Sequence, residues 1–251
     1  MIFYDYPLNE QVRVFLRLTA LFRRVFHFLQ RDDPWDHHAA LMSLFEIVDG
    51  TNRVDVKSDL LQGMERQRGI LSALRNNPQI EQESLLVTLG ELDVAIEGLY
   101  ASKGKFAEHL RNHEGLMAIK QRAAIPGGLC DFDLPSYHYW LSLAVETRRE
   151  QFRSWIAPLL PTRTALELHI RLMLKSGKTL RLEAPQGLYQ QSKVGPEVRL
   201  LRVAVDDSCP CVPEISANKY LLNIRFLEAG EAARNRVMSS TVPFGLVFCS
   251  F

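Results

Sequence analysis

The side chains best suited to chemistry in this sequence fall into four small groups. His109 and His113 are four residues apart. On one helix that spacing puts both rings on the same face, where they could ligate a metal. The residue after His109 is Leu110, not the glutamate of the zinc-protease pattern, and no third ligand is indicated. A solvated helix face is the competing interpretation. Cys209-Pro210-Cys211 supplies two thiols, but structural zinc takes four ligands and no second pair matches, so a surface loop is expected. Cys130 has no histidine partner legible in the sequence. Tyr137-His138-Tyr139-Trp140 is the densest aromatic run. Tyr137 and Trp140 could pin a helix turn into the core, or His138 could face a groove; core packing of the rings would itself orient His138.

The clearest charge pattern lies near the N-terminus. From Gln11 through Arg31 there is no acidic residue. At about 100° per residue, Arg13, Arg17, Arg24 and Arg31 share a narrow arc with His27 beside them. That arc lies opposite the apolar stripe of Val14, Phe15, Leu18, Leu21, Phe22, Val25 and Leu29. Solvated faces usually mix both signs. A single-sign face suggests an anionic partner: an acidic peptide, nucleic acid or anionic lipid.

The elements that would carry these residues read as helices first and strands later. Asn9 can cap a helix running to Leu29, and Arg31-Asp32-Asp33-Pro34 ends it. A second helix is expected over Trp35–Val48. Leu60, Met64, Leu71 and Leu74, with Gln67 in the middle slot, keep an alternating four-and-three spacing. After Asn76-Asn77-Pro78, so do Leu85, Leu89, Leu92, Ile96 and Leu99. The pair predicts an antiparallel helical hairpin, with the seams serving as intramolecular core or as a dimer contact. Phe106–Arg122 is expected to be helical, interrupted at Gly115. In Ile125-Pro126-Gly127-Gly128, Pro then Gly fits a type II turn. It is not a phosphate loop, because the Gly-Lys-Ser/Thr ending is missing. Helices resume over Ser136–Leu143, Val145–Ile156 and Leu159–Leu174.

Beyond Ser176-Gly177 the pattern changes. Thr179–Ala184, Val198–Val205, Tyr220–Leu227 and Val242–Phe248 have strand length and composition, and the polar stretch Glu228–Ser240 is expected to be a loop. The fold class is therefore α+β: a mainly helical domain over residues 1–176, then an antiparallel β domain over 177–251, with the 123–135 loop available to pack on the latter.

Composition narrows the function. The 251 residues carry a formal net charge of +1, which disfavours a chain-wide duplex nucleic-acid partner. RNA binding through the arginine face stays open, although no aromatic-basic strand motif supports it. Four cysteines are too few for a disulfide framework at this length. Met1–Pro7 offers no basic leader before an apolar run, and the long apolar segments are broken by arginines. Neither a secretory signal nor a membrane span is expected, which points to the cytoplasm. No complete nucleophile–base–orienter set is present, so a hydrolase at Cys130 or His138 has little support. No cofactor and no metal are expected.

Several blocks are similar to the ZapD family of cell-division proteins. These are Tyr6-Pro7-Leu8-Asn9-Glu10 with Arg13 and Leu16-Arg17; Gln121-Arg122, Ile125-Pro126-Gly127-Gly128, Phe132-Asp133-Leu134-Pro135, His138 and Trp140-Leu141; then Trp155-Ile156, Gly187 with Tyr189-Gln190, Leu200-Leu201-Arg202 and Arg225-Phe226. The matches are colinear and nearly span the chain. The resemblance implies a helical and an antiparallel β domain, a homodimer, and a non-enzymatic adaptor at the mid-cell division ring. Such an adaptor binds the C-terminal tail of FtsZ and bundles its filaments. Arg17 and His138 stand at matching positions. The match weakens near Arg111, Glu114 stands where some relatives carry a basic residue, and the stretch after Leu227 matches loosely. With the arginine face, this gives the expected partner-binding set Arg13, Arg17, Arg24, Arg122 and His138.

Overall fold

The structure, a computed structural model, describes residues 1–51, 55–192, 194–218, 220–230 and 236–250. The chain divides into two compact units, one of Met1–Val14 with Ile170–Phe251 and one of Phe15–His169. Helices dominate the second and antiparallel sheets the first, which is the expected α+β layout.

Helix α1 spans Glu10–Leu29, and the Asn9 carboxamide oxygen accepts the Val12 N–H at 2.9 Å, as a cap should. Within the helical unit it buries Phe15, Leu18, Phe22, Val25 and Leu29, the stripe expected from the 3.6-residue period. Helix α2 (Pro34–Gly50) starts with Asp33 accepting the Trp35 N–H and Pro34 in its first turn. The hairpin of α3 (Val56–Ser72) and α4 (Gln82–Ala101) forms as predicted. Of its seam residues Leu60, Met64, Leu85, Leu89, Leu92, Ile96 and Leu99 are buried within the chain, while Leu71 and Leu74 are half-buried and Leu74 lies past the end of α3. Each buried one contributes about 1.5–3 kcal/mol of transfer free energy, so intramolecular packing already uses both seams.

Gln67, the polar residue in the seam, is fully buried for a specific reason. Its carboxamide nitrogen donates to the His169 carbonyl at 3.1 Å, and its oxygen accepts from His169 Nδ1 at 2.9 Å. Gly63 makes room for this pair, since a Cβ there would lie 2.7 Å from His169 Cε1.

The expected Phe106–Arg122 helix is two helices, α5 (Glu108–Arg111) and α6 (Glu114–Ala123). The break falls at Asn112-His113 rather than at Gly115, because His113 adopts extended backbone and its Nδ1 accepts the Leu116 N–H at 3.2 Å. Helices α7 (Pro135–Ser142), α8 (Val145–Ile156) and α9 (Leu160–Lys175) follow the sequence pattern.

The β unit holds two antiparallel sheets among the described residues. The first has the order β1-β4-β7-β2, from Ile2–Pro7, Val198–Val205, Val242–Ser250 and Thr179–Ala184. The second has the order β3-β6-β5, from Leu188–Ser192, Leu221–Glu228 and Cys211–Ala217. Their inner faces share one core, with Leu201, Val203, Val205 and Leu246 from one sheet and Leu222, Ile224 and Phe226 from the other. Phe226 and Phe244 bring ring centroids to 5.0 Å across it. Strands β1, β3 and β5 were not anticipated. Strand β1 pairs with β4 from Ile2↔Val205 to Pro7↔Leu200, about 200 residues away in sequence. The expected Glu228–Ser240 loop lies partly outside the described residues. Within its described part, the Met238 N–H donates to the Phe226 carbonyl at 2.9 Å.

Candidate functional site

Four of the five expected binding residues, Arg17, Arg24, Arg122 and His138, lie in the helical unit. Helix α2 provides the scale on which to place them. Near its start, His38 Nδ1 meets the Tyr137 hydroxyl of α7 at 2.8 Å. Near its end, Asp49 accepts an ion pair from Lys120 of α6 at 2.7 Å. Those anchors are eleven residues apart, about 16 Å along a helix. His138 follows the anchored Tyr137, and Arg122 lies two residues after the anchored Lys120.

The chain between them is a chain of tight turns. The Gly128 N–H donates to the Ile125 carbonyl at 2.9 Å and Gly127 has φ +73°, the predicted type II turn. A Cβ on Gly128 would sit 2.4 Å from the Arg122 carbonyl oxygen, so no side chain fits there. Arg122 itself lies 3.9 Å from Asp133 in an exposed ion pair. Ile125, Phe132 and Tyr139 are exposed on this segment, Phe132 by 78%. Apolar surface therefore lies alongside Arg122 and the exposed His138.

The core-packing interpretation of the aromatic run holds. Tyr137 and Trp140 are buried and stack at 5.8 Å, while His138 and Tyr139 point outward. Burial pushes the Tyr137 phenol above its ordinary pKa and the His38 imidazole below its own.

The arginine face differs from its sequence appearance. Arg17 is exposed on α1. Arg24 is committed: its Nε donates to Ser43 Oγ at 3.1 Å and its guanidinium pairs with Glu46, both on α2. Arg31 lies beyond the end of α1 and sits 3.7 Å from Asp36. Arg13, described within the β unit, pairs with Glu10 one turn back at 3.2 Å. From Gln11 onward the helix carries no acid, but Glu10 in its first turn and Glu46 and Asp36 of α2 supply them.

A buried polar hub, missed by sequence reasoning, holds α7 in place. Arg148 of α8 is 4% exposed, yet it has no carboxylate partner among the described contacts. Its Nε donates to His37 Nδ1 at 3.0 Å, one terminal nitrogen to the carbonyls of Leu141 and Leu143, and the other to Asp32 O at 2.6 Å. Because arginine only donates, His37 Nδ1 must accept, so His37 Nε2 carries the hydrogen and donates to Arg31 O at 2.8 Å. The imidazole is thereby fixed as neutral, and burial lowers its pKa in the same sense. Arg149 adds bonds to the carbonyls of Leu29 and Gln30, at 3.3 and 2.7 Å. Arg149 thus satisfies carbonyls at the C-terminus of α1, and Arg148 ties the turn that follows α1 to the end of α7.

Other chemical candidates come apart. His109 Nε2 donates to the Trp155 carbonyl at 2.8 Å, while His113 caps α6, so they do not share a helix face. Among the described residues no group of three or more His, Cys, Asp or Glu could hold a metal. Cys209 is half-buried and Cys211 is buried as the first residue of β5, which replaces the expected surface loop. Arg111, near which the resemblance weakens, donates to the carbonyls of Phe106 and Val48 and to Thr51 Oγ1.

A second exposed surface was also missed. Ile70 on α3 and Leu86, Val87 and Val94 on α4 are exposed apolar side chains. Their signal was available in sequence: the three α4 residues fall off the 85-89-92-96-99 seam, on the wrong face of an amphipathic helix.

Comparison with known proteins sets this arrangement in context. The curated relatives include proteins from Chromobacterium violaceum, 49% identical, and Azoarcus sp. strain BH72, 47% identical, each match covering all of both chains. A relative from Nitrosomonas europaea is 45% identical over all of this chain and 95% of its own. All three are named as cell division proteins, and that is the class this chain falls in. The family model described as "ZapD: Cell division protein" matches residues 16–225. The chain belongs to the ZapD family. Among the described residues no helix is long and apolar enough to cross a membrane.

Proposed function

We propose that this protein is a non-enzymatic cytoplasmic adaptor that acts at the mid-cell division ring. As a homodimer it binds the C-terminal tail of FtsZ and cross-links FtsZ filaments. The observation that carries this is family membership over the whole length of the chain. The helical unit supports it with exposed arginines and an exposed histidine beside apolar side chains, a surface suited to an acidic peptide with apolar residues. A short tail on a flexible linker binds weakly, because ordering it costs entropy. Two sites on a dimer facing many tails on a filament turn weak contacts into bundling through effective concentration.

In this proposal Arg17 is the main carboxylate contact on α1, with Arg122 and His138 contributing from α6 and α7. Arginine suits the role because its planar fork grips a carboxylate with two hydrogen bonds. Arg24 acts through Glu46 and Ser43, orienting the face rather than contacting the tail, and Arg13 is a peripheral contributor.

The test is co-sedimentation with polymerised FtsZ, full-length and tail-deleted. Bundling of the first and not the second is expected. Equal bundling of both would refute tail recognition. If tail binding holds but Arg17→Glu leaves it unchanged while Leu86→Glu abolishes it, the site lies on the α3–α4 surface and not on the arginine face.

A further inference from the structure

Cys209-Pro210-Cys211 takes no part in the proposed function, yet its geometry is specific. The two Sγ atoms lie 3.4 Å apart. The Cys211 N–H donates to the Cys209 carbonyl at 2.8 Å, closing a three-residue turn about Pro210. Proline suits that turn because its ring holds φ near the value an inverse γ-turn needs. Two further bonds hold the backbone: the Cys209 N–H donates to Asp206 O at 3.0 Å, and the Ala229 N–H donates to Pro210 O at 2.8 Å. Residues i and i+2 are at most about 7 Å apart when the chain is extended, and the turn shortens that. The two Cα atoms are therefore within the span a disulfide can bridge. This corner is where the chain leaves β4 of the first sheet and enters β5 of the second.

We propose that Cys209 and Cys211 form a modification site, a dithiol that closes to a disulfide by exchange with a low-molecular-weight disulfide such as glutathione disulfide. The half-buried Cys209 is the entry point, and the buried Cys211 is the resolving thiol. In the first step Cys209 sulfur attacks glutathione disulfide. Its S–S bond breaks, one glutathione thiol leaves with the Cys209 proton, and Cys209 carries a mixed disulfide. In the second, Cys211 sulfur attacks Cys209 sulfur, and the second glutathione thiol leaves with the Cys211 proton. The dithiol loses two electrons and glutathione disulfide gains them. The sulfurs need to close from 3.4 Å to ~2.0 Å. Burial pushes the Cys211 thiol up to about 12, which makes the half-buried Cys209 and not Cys211 the first sulfur to react. A ring this small is strained, and strained disulfides are the readily reduced ones, so reductant reopens it.

The experiment uses the full chain in a Cys130→Ser background, which removes the exposed third thiol. Protein is incubated with glutathione disulfide, blocked with N-ethylmaleimide and analysed by intact mass and peptide mapping. The expected product has lost two hydrogens, has Cys209 and Cys211 both protected, and returns to the dithiol with dithiothreitol. Cys211→Ser is expected to trap one glutathionyl group on Cys209, and Cys209→Ser to remain unmodified at Cys211. A stable glutathionyl adduct on Cys209 in the parent protein, or both thiols still alkylated after oxidation, would overturn the proposal. If the buried Cys211→Ser change prevents folding, phenylarsine oxide on the parent protein decides. One arsenic bridging both sulfurs supports the dithiol, and arsenic failing to protect both thiols refutes it.

Discussion

Replacing Arg148 with alanine tests the claim that a buried guanidinium hub positions α7. The side chain is 4% exposed and donates to His37 Nδ1 and to the carbonyls of Leu141, Leu143 and Asp32. After truncation, water can reach the exposed Asp32 and partly reach Leu141 and Leu143, but His37 is fully buried and its Nδ1 is left without a donor. An orphaned buried acceptor costs ~1–3 kcal/mol, and each lost bond to a charged group is worth ~1.5–3 kcal/mol before rehydration. Allowing for rehydration of the three carbonyls, Arg148→Ala is expected to destabilise by about 3–5 kcal/mol, the range of large single-site effects. That is a substantial fraction of the ~5–15 kcal/mol that holds a typical domain. Urea unfolding followed by far-ultraviolet circular dichroism measures it. Arg148→Lys should recover only part of the loss, because an ammonium cannot reach the same fork of acceptors. Tail affinity should fall as well, since α7 carries His138. An Arg148→Ala protein within ~1 kcal/mol of wild type would show that water replaces the guanidinium, and the positioning argument would fail.

Five further outcomes are expected. Arg17→Glu should weaken FtsZ-tail binding more than Arg17→Ala in a fluorescence anisotropy titration, with circular dichroism unchanged. Binding should also weaken as salt rises, because exposed pairs are worth only ~0.2–1 kcal/mol each and are screened; salt-independent affinity would count against the arginine face. Gly63→Ala places a Cβ 2.7 Å from His169 Cε1, and that ring is pinned by Gln67 and by Phe15 edge-on at 5.5 Å. A loss of ~1–3 kcal/mol in urea unfolding is expected, as for overpacking elsewhere. Burial lowers His169 from 6.5 to about 4. Between those values the unfolded chain takes up a proton that the folded chain refuses, so stability is full above pH 6.5, falls on acidification and levels near pH 4, a loss on the order of 3 kcal/mol. His169→Gln should flatten that slope in urea midpoints taken across the range. Sedimentation equilibrium should give twice the 28.7 kDa chain mass, and a monomer at micromolar concentration would refute the homodimer.

Sequence alone determined what depends on near neighbours. A helix repeats every 3.6 residues, so the buried faces of α1 and α4 were legible as stripes, and the Asn9 cap and the Pro126-Gly127 turn were legible as local chemistry. The apolar strands β4, β6 and β7 were legible because inward-facing residues must be hydrophobic. The short strands β1, β3 and β5 were not, because each becomes a strand only by pairing with a distant one, as Ile2–Pro7 does with β4. The candidate site divides in the same way. The arginine arc was visible along α1, but its electrostatic meaning was not: Glu46 and Asp36 come from α2, and a charge pattern read along one helix omits the helix beside it. His109 and His113 kept their spacing in sequence and lost it in space, because a histidine that caps a helix has left the helix before it. Gln67 looked like a defect in an apolar seam until tertiary structure supplied His169, about a hundred residues away. Likewise Arg148 carried no sequence signal, since its partners are backbone carbonyls and one imidazole, groups whose positions are set only once the chain has folded.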